Sequence, residues 1–201
     1  MKTYEHTEDG SASARAHPWA DAEGNASHRY YDLKANPELI RSALEDFVPW
    51  SRFRAVETFY SLLAWLNGPD ALLESNDCAF EGPEAADSPA TGRSLECSGR
   101  LMVLYRELPL NLSLVRVQGL KNALHGSCEE FDRDFDSGAI GSTIVRSQYV
   151  TLPLPEARQR GYQLMLSFWA WGDTEGETMA NLDRLFQNLS GALRKASLYV
   201  P

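Results

Sequence analysis

Histidine and cysteine are scarce in this chain, and the long apolar runs of a membrane protein are missing. The three cysteines, Cys78, Cys97 and Cys128, form no CxxC pair and stand beside no group of histidines. That argues against a disulfide framework and against a zinc site. It fits a reducing compartment, so a cytoplasmic location is expected. Three of the four histidines, His6, His17 and His28, lie in or next to a polar N-terminal stretch. An enzyme is thereby left few general bases of the commonest kind. No basic segment followed by an apolar one opens the chain, so no export signal is expected. No apolar run approaches the length that spans a bilayer. Walker loops, GxGxxG, HExxH and GxSxG are all absent, and neither cofactor nor metal is expected.

Positive charge is also in short supply. Lysine and arginine number 19 against 28 aspartates and glutamates, a formal net charge of −9. Phosphate backbones repel such a surface, which speaks against a nucleic-acid partner. A basic protein would instead be drawn in over long range. Acidity also serves solubility alone, and composition does not separate the two uses.

What the chain has is enough apolar material for a core: 43% of its 201 residues are hydrophobic. The length fits one domain with an appendage. Residues 1–27 are polar and without period and read as a mobile tail, and 28–201 as one domain. Tyr30 and Tyr31 open a short extended segment. Asn36-Pro37-Glu38 starts a helix that Pro49 stops. A second helix runs from about Ser51 to Leu66, ended by Asn67-Gly68-Pro69. Residues 67–99 hold three prolines and several glycines and read as a long irregular loop. Arg100 to Leu108 reads as a strand, and Ser113 caps a helix to about His125 that resumes towards Phe131. Ser142–Leu152 and Tyr162–Trp171 are strands, joined by a polar link of hairpin type. The second is apolar on both faces and is therefore expected at the centre of the sheet. A last helix follows Thr174, with Glu177 completing a capping box and Arg194 and Lys195 at its end. The fold class expected is α+β: an antiparallel or mixed sheet packed with about four helices.

Two acidic groups attract attention. The first is Glu129, Glu130, Asp132, Asp134 and Asp136; the second is Asp173, Glu175 and Glu177. The three aspartates alternate like the opening of a calcium loop, but Ser137 and Thr143 stand where that loop needs Gly and Glu. An acidic contact patch is the alternative, larger if folding unites the two groups. Asp173, Glu175 and Glu177 also suit the positive end of a helix dipole without any further role. His125 and Cys128 would share a helix face. A buried thiol beside a histidine explains them better than a nucleophile with its base. Trp169 and Trp171 share one face of a strand, with Trp50 and Trp65 as packing candidates.

Three classes of function remain open. The first is an acidic protein-binding module, for instance a bacterial inhibitor of the immunity type that neutralises a basic toxin or enzyme. Its contact residues would be Glu129, Glu130, Asp132, Asp134, Asp136, Asp173 and Glu175. The second is a small carboxylate-based enzyme, metal-assisted or not, with Asp77, Asp132, Asp134 and Asp136 as acids or ligands and the 67–99 loop as its lid. The third is an accessory protein whose last helix docks on a second copy of the chain.

Overall fold

The computed structural model describes residues 1–5, 16–17, 33–86, 92–151 and 154–198. Six strands make one sheet: β1 (Lys2–Glu5), β2 (Ala16–His17), β3 (Leu73–Ala85), β4 (Leu95–Tyr105), β5 (Gly138–Thr151) and β6 (Leu154–Gly172). The order across the sheet is β1-β5-β6-β4-β3, and the two-residue β2 pairs with β5 beyond β1. β1 and β2 run parallel to β5 and every other pairing is antiparallel, so the sheet is mixed. The strand with two apolar faces, β6, does lie at the centre, between β5 and β4.

Three long helices supply most of the other layer: α2 (Arg54–Asn67), α4 (Leu114–Phe131) and α5 (Glu175–Ser197). With the short α1 (Leu39–Ser42), α3 (Leu108–Asn111) and a 3-10 helix at Glu45–Trp50, six helices stand among the described residues, against about four expected. The core forms where α2 and α5 meet one face of β6. There Phe59 and Phe186 lie 4.8 Å apart, and Phe186 meets Phe168 edge-on at 5.0 Å. Leu164, Leu166, Phe168 and Ala170 of β6 and Leu101 and Val103 of β4 belong to this one core. Alternation sends Met102, Leu104, Val145 and Tyr149 to the second face, where they too are buried.

The structure corrects several expectations. The loop placed at 67–99 is mostly a hairpin, β3 and β4, paired from Leu73↔Tyr105 to Ala85↔Leu95. Its strand character is hidden because the register slips twice, between Ser75 and Asp77 and between Glu81 and Glu84. Each slip breaks the alternation by which a strand is recognised. β3 is also the last strand of the sheet, where Pro83 does no harm to the ladder. The tail placed at 1–27 includes a buried Met1 and two paired segments, β1 and β2; residues 6–15 and 18–27, and Tyr30 and Tyr31, lie outside the described residues. The helix expected from Asn36 to Pro49 is broken in two, with Pro49 inside the 3-10 segment. That break sets Phe47 between Phe59 and Phe80, 4.8 and 4.9 Å from their rings. The hairpin link after β5 is shorter than expected, because β6 already starts at Leu154. Trp50 and Trp65 pack against the helix-side core, not against Trp169 and Trp171. Trp50 lies over Gly82, so close that a Cβ there would come within 2.0 Å of the indole.

The starts of α4 and α5 agree with the residues that announce them, whereas α1 begins at Leu39, after Glu38 and not at Asn36, and has no side-chain cap. Ser113 Oγ accepts from the Arg116 amide at 3.4 Å, and Thr174 Oγ1 accepts from the Glu177 amide at 3.2 Å. Glu177 closes its box one residue early, its Oε2 accepting from the Asp173 amide at 2.9 Å.

Candidate functional site

The chain leaves β6 through Asp173 and enters α5 at Glu175, while the turn from α4 into β5 spans Asp132 to Ser137. The two turns meet at one end of the sheet. The Trp171 amide donates to the Ser137 carbonyl at 3.0 Å. Arg93, two residues before β4, reaches the same place, with its Nη1 2.7 Å from Asp173 Oδ2 and 3.2 Å from Glu177 Oε1. Arg93 also lies in the field of Asp136. Folding therefore brings Asp136, at the end of the first acidic group, towards the second, although 36 positions separate it from Gly172 at the end of β6; Glu130 instead lies against Lys195, near the other end of α5.

Arginine and lysine pair with most of these carboxylates. Asp132 receives Arg184 through two bonds, at 2.7 and 2.8 Å, and Asn188 Nδ2 at 3.0 Å. Those donors hold its carboxyl below the usual range, and the carboxylate lifts the Arg184 guanidinium in turn. Asp173 is lowered in the same way, by Arg93 first and then by the Ser94 amide. Glu130 is ion-paired with Lys195, which lowers its carboxyl, and Glu175 is ion-paired with Arg52. Glu129 accepts a long bond from Thr3 Oγ1 at 3.4 Å. Four of the seven carboxylates expected to meet a partner thus spend themselves inside the molecule. Both oxygens of Asp132 already accept hydrogen bonds, so a metal ion there would compete with Arg184.

Asp134 and Asp136 differ from the four ion-paired carboxylates. Both are exposed, and neither forms an ion pair among the described residues; Asp136 accepts only from its neighbour's Ser137 Oγ, at 3.2 Å. Phe135 is buried with its ring 4.8 Å from the Arg184 guanidinium. Asp134 lies in a tight turn closed by the Phe135 amide donating to the Asp132 carbonyl at 3.3 Å, and the buried Phe135 stands between the two exposed aspartates. The Asp132–Arg184 pair fixes the start of the turn and the Trp171–Ser137 bond its end. Two carboxylates are thereby presented on a braced support.

The other candidates are not brought together as chemistry requires. Asp77 lies on β3 beside Arg100, with Nε 3.4 Å from Oδ2, on a different strand from the aspartates of the β5 turn. The lid proposed for an enzyme is the β3–β4 hairpin. His125 Nε2 lies 2.6 Å from Ser142 Oγ, a distance suited to a base and a nucleophile. Ser142 has no exposed surface, however, so no substrate reaches it in this conformation. Cys128 is equally buried, and burial pushes its thiol up to about 12, far from a thiolate at neutral pH. No helix among the described residues is long and apolar enough to cross a membrane.

Sequence reasoning missed the arginines. Arg52, Arg93 and Arg184 stand 123, 80 and 52 positions from their carboxylates, and no local spacing announces such pairs. The fold and its acidic end define a mixed α+β domain. No protein-family model, curated protein or solved structure matches the chain.

Proposed function

We propose that this protein is a binding module that offers the turn at Asp134 and Asp136 to a basic protein, in the manner of an immunity-type inhibitor. The observation that supports the reading is the contrast within one short turn. Asp132 is neutralised by Arg184, whereas Asp134 and Asp136 are exposed and have no ion-pair partner among the described residues, in a turn held at both ends. A preorganised pair of charges loses little freedom on docking, which favours affinity. The net charge of −9 adds long-range attraction for a cationic surface. Arginine and lysine pair with four of the seven carboxylates and Glu129 accepts from Thr3, which narrows the contact to these two and their surroundings.

The test is charge reversal at two places. Asp134→Lys/Asp136→Lys alters the proposed contact. Asp70→Lys/Glu107→Lys makes the same change in net charge beside the start of β3 and the end of β4, at exposed residues. Each variant and the parent protein are used as bait in an extract of the native cell. Capture of a basic protein that is lost in the first variant, kept in the second and weakened by salt is the expected result. Equal loss in both variants would reduce the effect to net charge. Equal capture by both would remove the turn from the interface.

A further inference from the structure

We draw no further inference here: the strongest candidate, the buried polar cluster of Asn76, Ser147 and Gln163 on the second face of the sheet, has polar atoms without partners among the described residues, but nothing there shows what covers it.

Discussion

Asp132 holds Arg184 through two hydrogen bonds and Asn188 through a third, whereas Asp134, two positions on, has no ion pair among the described residues. The two residues look alike in the sequence, and substitution separates them. Asp132→Asn should lower stability by about 1–2 kcal/mol, the range of a hydrogen-bonded charge pair that is only partly exposed. Asp134→Asn should stay within about 0.5 kcal/mol, as surface changes usually do. Urea unfolding at neutral pH measures both. The pH dependence has a definite sign. The folded carboxyl of Asp132 lies below its unfolded value of about 3.9, so its contribution is complete above that pH. It is lost as pH falls through the lower, folded value. The Asn variant should therefore lose less stability than the parent between about pH 5 and pH 2. Cysteine provides a second test at this scale. Cys97 and Cys128 have no exposed surface and thiols pushed up to about 12. Both should resist a thiol reagent at pH 8 in the folded protein and react once urea unfolds it. Labelling of either at the rate of a free thiol would contradict their burial. That an acidic run existed was legible from the residues alone. Which of its members were free was not, because the answer depended on arginines far away in the chain.

The elements were legible where their pattern was uninterrupted. α5 shows its apolar stripe, its Thr174 cap and its terminal charges, and it forms as expected. β6 shows two apolar faces and takes the centre. β3 and the first half of β4 were not legible, since two register slips and the Gly82-Pro83 pair imitate a loop, whereas Arg100 to Tyr105 reads as a strand and is one. A glycine that reads as loop in the sequence is here a packing device. Gly99 lies on β4 where an added Cβ would come within 2.4 Å of both the Ala79 carbonyl oxygen and the Phe168 ring. Gly99→Ala should cost about 1–3 kcal/mol, because backbone on one side and a core ring on the other leave little room to yield. Gly119 is the counterpart in α4, exposed and with nothing within 4 Å of an added Cβ. Gly119→Ala should gain about 0.5–1 kcal/mol by restricting the unfolded chain and favouring the helix. Thermal unfolding of the two variants beside the parent reads both signs in one experiment.

At the scale of the molecule, α2, α4, α5 and the sheet share one core, and no helix has a private one. Loss of helix and loss of tryptophan environment should therefore coincide. Far-ultraviolet circular dichroism and tryptophan fluorescence should give the same urea midpoint. Two separate midpoints would divide the molecule into independent units. The class of fold was legible from the order of elements, but the strand order was not, since nothing local tells residues 2–5 to seek residues 139–142. That pairing sets a timetable for a chain made from its amino end. The first strand leaves the ribosome early and finds no neighbour until β5, more than 130 residues later, has followed it. Throughout that interval a short stretch of unpaired backbone is open to foreign strands, and a faster or slower ribosome changes how long the exposure lasts.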